Sequence, residues 1–249
     1  MAVDRPQQGV SSQKRPALVL SVKRSTWRRH DPDREAADAA YARVRLDVLR
    51  RDAYTCKYCG FVSSGDSQAN TGSYAASGYL EVHHQDDNHK NNQISNLVTV
   101  CPFCHQVFHV GFAGKRAAAQ LTWFPWLPQA TVNLMSNLAA VAIAREGAWA
   151  QAGHSWFQWM GQLQTQSARV YGDAILDVGN LGMALMSCAS QGSPGWTNRA
   201  QATAALRLIP RRDVYTQAIQ WWSQQAWRPE AQWESVFAEA IGLCKDLQR

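Results

Sequence analysis

Four cysteines of the sequence fall into two Cys-x-x-Cys pairs, Cys56/Cys59 and Cys101/Cys104. Two such pairs supply four thiolates, the usual ligand set of a tetrahedral structural zinc ion, which has no open position for a substrate. The spacing therefore predicts one Zn²⁺ bound by Cys56, Cys59, Cys101 and Cys104. This ion would close the base of the loop between the pairs and would not itself be catalytic.

A second group of side chains, three histidines and an asparagine, lies between and beside the cysteine pairs. His83 and His84 end a predicted strand (YLEVHH), Asn96 precedes another (LVTV), and His105 directly follows Cys104 at a predicted helix start. A neutral imidazole can take a proton from water near pH 7. Two ring nitrogens can hold a divalent ion that keeps open positions for phosphate oxygens. The group predicts phosphodiester hydrolysis assisted by Mg²⁺ or another divalent metal.

The stretch LRRDAYTCKYCG…LEVHH…NNQISNLVTVCPFCHQVFH resembles the HNH endonucleases, whose fold is a ββα-metal, treble-clef-like zinc module. The resemblance implies that His84 is the general base and that His83 and His105 hold the catalytic metal. It also implies that Asn96 orders the loop between the strands and that DNA is the substrate. His109, one helical turn after His105, is the rival for the last ligand place.

Two alternatives concern the same residues. An inactive zinc knuckle, whose histidines make only hydrogen bonds, stays open. A zinc deaminase is excluded, because it needs His-x-Glu and Pro-Cys-x-x-Cys. Here Glu81 precedes His83, and Pro102 lies inside the second cysteine pair.

A wider resemblance spans most of the chain. The chain is similar to the IcmJ/DotN family of type IVB (Dot/Icm) secretion systems in the order of its segments. These are the knuckle, the HNH core, LTWFPWLPQATVNLMSNL, SARVYGDAILDVGNLGMAL and LRLIPRRDVYTQAIQWW. That resemblance implies an HNH-like zinc fold with a helical tail, docked on the coupling ATPase at the cytoplasmic side of the inner membrane. The family pattern keeps the four cysteines and lacks the catalytic histidines, whereas this sequence has both. We predict an HNH-type DNA endonuclease linked to such a system, with an inactive structural subunit of the coupling complex as the alternative.

Composition and charge suggest how the rest of the chain supports these groups. Apolar residues make up 46% of the chain, so a packed core is expected. The net charge is +6, and residues 1–52 hold 12 Lys and Arg against 7 Asp and Glu. Basic side chains at Arg28, Arg29, Arg50 and Arg51 are candidates for DNA phosphate contacts.

The sequence shows neither a secretory signal nor an apolar membrane span. A cytoplasmic location is therefore predicted, peripheral at the inner membrane through a protein partner.

The predicted fold class is α+β, an HNH zinc module followed by a mostly helical C-terminal domain. The predicted parts are a flexible basic arm (1–30), the module with its N-terminal helix (31–114) and a helical domain for protein docking (115–249).

A strand is predicted at 17–22, a helix from Asp31 to about Arg51, and a polar insertion at 63–78. Apolar periodicity places further helices at 129–145, 149–171, 173–189, 198–208, 213–227 and 229–247. Ten of the eleven Trp lie after residue 114, which suggests a docking surface there.

Overall fold

The computed structural model describes residues 15–23, 31–70, 72–190 and 192–225. The fold is mixed α+β, about half helical with small sheets, which confirms the predicted class; the HNH assignment of the zinc module stays a prediction. The described helices are α1 Arg34–Arg51, α2 Pro102–His105, α3 Val110–Lys115, α4 Gln129–Arg145, α5 Ala150–Tyr171, α6 Val178–Ser190, α7 Pro194–Thr197, α8 Arg199–Ala202 and α9 Thr216–Ser223. The described strands are β1 Glu81–His84, β2 Leu97–Val100, β3 Ala119–Trp123 and β4 Leu206–Pro210. The predicted helix at 229–247 lies outside the described residues.

Helix α1 carries one apolar face into the core. Val48 and Leu49 are buried, and Tyr41 and Val44 pack against the same cluster, as the helical spacing predicted. The Asp31 carboxylate accepts a hydrogen bond from the main-chain N–H of Asp33 (2.9 Å), so it caps a turn. The helix itself begins three residues after Asp31, at Arg34, and ends at Arg51 as predicted.

Strands β1 and β2 form an antiparallel pair that leads into the second cysteine pair. Their register places Glu81 opposite Val100 and His84 opposite Leu97. Strand β2 is buried along its whole length. It runs into α2, whose first residue is Pro102, and a 3₁₀ turn over Gln106–His109 then connects α2 to α3. Both strands lie where the sequence predicted them.

The C-terminal half contains a second antiparallel pair that the sequence analysis missed. Strand β3 pairs with β4, and Leu121 lies opposite Leu208, both fully buried. The predicted helix at 198–208 is therefore wrong: only the short α8 forms there, and LRLIP continues as β4. Helix α4 has the predicted bounds, whereas the predicted 213–227 helix starts as a 3₁₀ turn before α9.

One apolar cluster joins the cysteine knuckles to the C-terminal helices. It contains Phe61 and Phe103 beside the knuckles together with Leu138 of α4, Trp156 of α5 and Trp222 of α9. The division at residue 114 therefore does not separate two cores among the described residues.

The segment 63–78, predicted as a polar insertion, also belongs to this packing. Ser63 and Ser77 are buried, and the indole N–H of Trp222 donates to the main-chain oxygen of Gly78 (2.9 Å). The indole N–H of Trp221 donates to the main-chain oxygen of Ser64 (3.1 Å). Two tryptophans of α9 thus hold this loop, because its buried carbonyls need donors.

The segment 15–23, where a strand was predicted at 17–22, has no regular secondary structure. Leu20 and Val22 are nevertheless buried, and Ser21 exchanges main-chain hydrogen bonds with Val107 and Val110. Within the described part of the chain, no helix combines the length and apolar character needed to cross a bilayer.

Candidate metal centres

The four predicted cysteines come together in the core. Cys56, Cys59, Cys101 and Cys104 are all buried, and their sulfur atoms lie within 4.8 Å of one another. The Cys59 and Cys101 sulfurs are 3.7 Å apart. Sulfur atoms bound at about 2.3 Å to a tetrahedral zinc ion lie about 3.8 Å apart. The cysteine cluster therefore fits a metal ion such as Zn²⁺ in spacing, ligand type and burial.

Local turns position these sulfurs. Gly60 follows the first pair with a φ of 78°, a conformation that favours glycine, and its N–H donates to the Cys56 oxygen (2.9 Å). After the second pair, the N–H groups of Cys104 and His105 both donate to the Cys101 oxygen (3.0 and 2.9 Å). Each pair thus bends the chain so that two thiols face one point.

Two asparagines of α4 donate hydrogen bonds to the cysteine cluster. The side-chain amide of Asn133 lies 3.4 Å from the Cys104 sulfur, and that of Asn137 lies 3.4 Å from the Cys101 sulfur. Both asparagines are fully buried. Sequence reasoning missed these residues. The available signal was the four-residue spacing of Gln129, Asn133 and Asn137 in a mostly apolar helix.

A second set of possible metal ligands includes His105, the residue that follows Cys104. His83, His105 and His109 each offer a ring nitrogen, and the three nitrogens lie within 4.8 Å of one another. The Nε2 atoms of His105 and His109 are 3.2 Å apart. Two nitrogens bound to one metal at about 2.1 Å lie roughly 3.0–3.4 Å apart, so this pair also fits a shared ion. We call these three residues the histidine cluster.

Glu81 orients the histidine cluster from strand β1. Its carboxylate lies 2.5 Å from Nδ1 of His105, which leaves Nε2 of His105 facing His109. Burial raises the pKa of Glu81, but the charge and hydrogen bond of His105 outweigh it and hold the pKa below its ordinary value. Glu81 therefore stays ionised and fixes the ring.

Burial keeps two members of the histidine cluster neutral. The His83 ring is 6% exposed and stacks on Phe108 with ring centroids 4.2 Å apart. Burial, with repulsion from His105 and His109, lowers the pKa of His83 to about 2. Burial and the charge of His105 lower the pKa of His109 to about 3. Neutral imidazole is the form that binds metals.

His84 directly follows His83 but is not a member of the histidine cluster. Its Nε2 lies 2.9 Å from Oδ1 of Asn92, whose own amide donates to the Ala37 oxygen (3.1 Å). This contact makes Nε2 the protonated nitrogen and leaves Nδ1 with a free lone pair. Burial lowers the pKa of His84, so the ring is neutral at pH 7. Asn92 was not singled out from the sequence.

Asn96 contacts the loop between β1 and β2 and none of the histidines described above. Its amide donates to the Asp86 carboxylate (2.9 Å) and to the Asn91 oxygen (2.8 Å). Its Oδ1 accepts the N–H of Asp86 (3.1 Å). Asn96 is therefore a positioning residue for the loop that carries Asn92.

The histidine cluster and His84 face a common cavity of about 180 Å³. Its lining includes His83, His84, His105 and His109. The ligand set differs from the predicted pair in including His109 beside His83 and His105. Three imidazoles suit Zn²⁺, Ni²⁺ or Co²⁺, whereas Mg²⁺ prefers oxygen ligands. Of the prediction of Mg²⁺ or another divalent metal, the histidine cluster therefore fits another divalent metal better than it fits Mg²⁺.

Of the four arginines predicted to contact DNA, Arg50 is exposed and contacts Asp47 (3.2 Å), and Arg51 is engaged within the fold. Arg28 and Arg29 lie outside the described residues. The Arg51 guanidinium donates to the main-chain oxygens of Ile94 and Leu97 (both 2.7 Å), which ties α1 to the start of β2. Its hydrogen-bonding capacity is thus used within the fold.

Comparison with known proteins finds one informative likeness. No family model matches the chain. The chain is 26% identical over 220 residues to the type 4 apparatus protein DotN of Legionella pneumophila. The aligned region covers 86% of this chain and 93% of that protein, so it includes residues on both sides of position 114. The chain is thus a distant homologue of a type 4 apparatus protein.

Proposed function

We propose that this chain is a structural subunit of a type IV secretion or conjugation apparatus, in which it docks on the coupling ATPase. The observation that carries the proposal is the likeness to DotN over nearly the whole of both chains. The core adds support, because the cysteine cluster and the C-terminal helices pack as one body that can present a rigid surface. The sequence offered this structural subunit as the alternative to an endonuclease, and the likeness to DotN supports it better than it supports an endonuclease.

An aromatic surface near α5 is the proposed docking element. Trp126, Trp159 and Tyr171 are 40%, 44% and 42% exposed. Trp126 and Trp159 each contact the buried Phe124 ring edge-on, with centroids 5.3 Å apart. Large aromatic side chains held by a rigid neighbour, yet open to solvent, are typical of interface anchors.

Crosslinking in the native host tests this proposal. A tagged full-length chain is compared with a Trp126→Ala/Trp159→Ala variant and with Tyr74→Ala/Ile94→Ala, which removes two exposed apolar side chains elsewhere. The coupling ATPase should be recovered with the wild type and the control, and at least tenfold less with the Trp variant. Recovery of no apparatus component would contradict the function; equal recovery with all three chains would contradict only the surface.

A second candidate function is metal-dependent phosphodiester hydrolysis at the histidine cluster, the endonuclease predicted from the sequence. The convergence of three ring nitrogens beside a neutral His84 in one cavity favours it. A bound Zn²⁺, Ni²⁺ or Co²⁺ would polarise a phosphate oxygen and neutralise developing charge. His83, His105 and His109 would hold the ion, and Glu81 would orient His105. Nδ1 of His84 would accept the proton of the attacking water, since Asn92 occupies Nε2.

Plasmid cleavage with a series of divalent metals tests this candidate. Removal of a general base costs about 10²- to 10⁴-fold in rate. His84→Ala should show this loss with its fold intact, and His154→Ala, at an exposed position on α5, should cleave like the wild type. A wild-type chain that is inert with Zn²⁺, Ni²⁺, Co²⁺, Mn²⁺ and Mg²⁺ would leave only the structural role.

A further inference from the structure

We infer that Asn133 and Asn137 are positioning residues for the metal thiolates, so that helix α4 completes the cysteine cluster from outside the knuckles. The inference rests on metal binding by that cluster, and it does not depend on either proposed function. It assigns to two C-terminal residues a role in holding the metal, since hydrogen bonds to a thiolate stabilise its charge.

The two asparagines lie on one buried stripe of α4 and use all of their amide protons. Asn133 donates to the Cys104 sulfur (3.4 Å) and to the Phe103 oxygen (2.9 Å). Asn137 donates to the Cys101 sulfur (3.4 Å) and to the Asn133 oxygen (3.0 Å). One donor therefore reaches each cysteine of the second pair.

Gln129 connects this stripe to the β3–β4 sheet. Its side-chain amide donates to Oδ1 of Asn133 (2.9 Å) and to the Leu208 oxygen (2.8 Å). Its Oε1 accepts the N–H of Leu208 (2.8 Å). The contact with Gln129 fixes the Asn133 amide with its oxygen towards Gln129 and its nitrogen towards the sulfur.

Burying the Asn133 and Asn137 amides costs free energy. This cost indicates that the amides are present to donate hydrogen bonds to the sulfurs. Asn137 is fully buried, and its Oδ1 has no hydrogen-bond partner among the described residues. An unpaired buried carbonyl is destabilising, and an apolar residue of similar size would avoid that penalty. The N–H contact with Cys101 offsets this penalty best when the sulfur carries the negative charge of a metal-bound thiolate, because charge-assisted hydrogen bonds are stronger.

Cobalt substitution of the full-length chain tests the inference. Asn133→Leu and Asn137→Leu each remove the N–H donor to one sulfur, at similar volume. Ser136→Ala is the matched control, because Ser136 is buried on the same helix and contacts Trp156 instead of sulfur. Loss of an outer partner typically weakens metal binding about 10- to 100-fold. We expect Co²⁺ transfer to a chelator to be faster by that factor in both Asn variants and unchanged in the control.

The sulfur-to-cobalt charge-transfer band gives a readout that a packing defect alone does not move. Without its donor, a thiolate gives up charge more readily, so the band should shift to lower energy in the Asn variants only. If a leucine variant does not fold, Asn137→Ala or Asn133→Ala leaves the same sulfur without its donor. An unchanged band with wild-type release would overturn the inference alone. Failure of the wild type to bind Co²⁺ or Zn²⁺ would overturn the cysteine metal site as well.

Discussion

The cysteine cluster and the histidine cluster meet at consecutive residues, yet their surroundings differ. Cys104 is fully buried among apolar side chains and receives a hydrogen bond from α4. His105 is partly exposed, faces a cavity and is held by Glu81. The chain bends at the second cysteine pair, so that the Cys104 side chain lies in the core and the His105 side chain lies at the surface. A metal site enclosed by the core is typical of a structural metal ion. A site open to a cavity allows ligand exchange or catalysis.

Loss of one ligand from the cysteine cluster should have the largest effect on stability. Structural zinc contributes on the order of 10 kcal/mol to folding, so Cys59→Ser should leave the chain without bound zinc and largely unfolded. Cys188→Ser, outside the cluster, should retain both zinc and fold. Elemental analysis and circular dichroism measure the two properties. A folded Cys59→Ser chain would show that packing alone holds the knuckles.

Removal of the C-terminal half should have a comparable effect, because the two halves share a core. A chain ending at residue 114 would expose Phe61 and Phe103, which pack against Trp222. It would also lose the amide donors of α4. We expect this fragment to bind zinc weakly and to lack a cooperative thermal transition, measured by calorimetry. Wild-type zinc affinity in the fragment would mean that the knuckles form an independent module.

Acid should weaken the fold through the histidine cluster by a few kcal/mol. His83 and His109 have folded-state pKa values of about 2 and about 3, below the ordinary value of 6.5. Between these values the unfolded chain binds more protons, so stability is complete above about pH 6.5 and falls as the pH is lowered. The slope is at most about 1.4 kcal/mol per pH unit for each histidine.

Urea unfolding at pH 7 and pH 5, with the histidine cluster free of metal, measures this dependence. A His83→Asn/His109→Asn variant keeps the cysteine cluster and loses the two titrating rings. Its stability should therefore change less between the two pH values than that of the wild type. Equal changes in both chains would show that these rings can be protonated without unfolding.

Loss of one ligand from the histidine cluster should have the smallest effect on stability. His109→Ala removes a half-buried side chain and should change the free energy of unfolding by about 1 kcal/mol or less. It should nevertheless abolish binding of a second ion per chain, which titration calorimetry with Ni²⁺ or Zn²⁺ detects. Binding of two ions by the variant would remove His109 from the ligand set.

Features determined by local spacing could be predicted from the sequence. Two Cys-x-x-Cys pairs define four thiolates wherever the chain between them goes, and the cysteine cluster forms as expected. The bounds of α4 were predicted because its 17 residues form one mostly apolar segment, and the helix is buried on all sides from Thr131 to Ala142. His109 was identified as a rival ligand because it lies one helical turn after His105.

Features that join distant segments were decided only by the tertiary structure. The first three residues of β4 were predicted as helix, because LRLIP is short and its partner β3 lies more than 80 residues earlier. The donors to Cys101 and Cys104 come from α4, and the partner of His105 comes from β1. The periodicity of the sequence does not predict such pairings. Each one depends on which buried polar group lies within hydrogen-bond distance of a distant element.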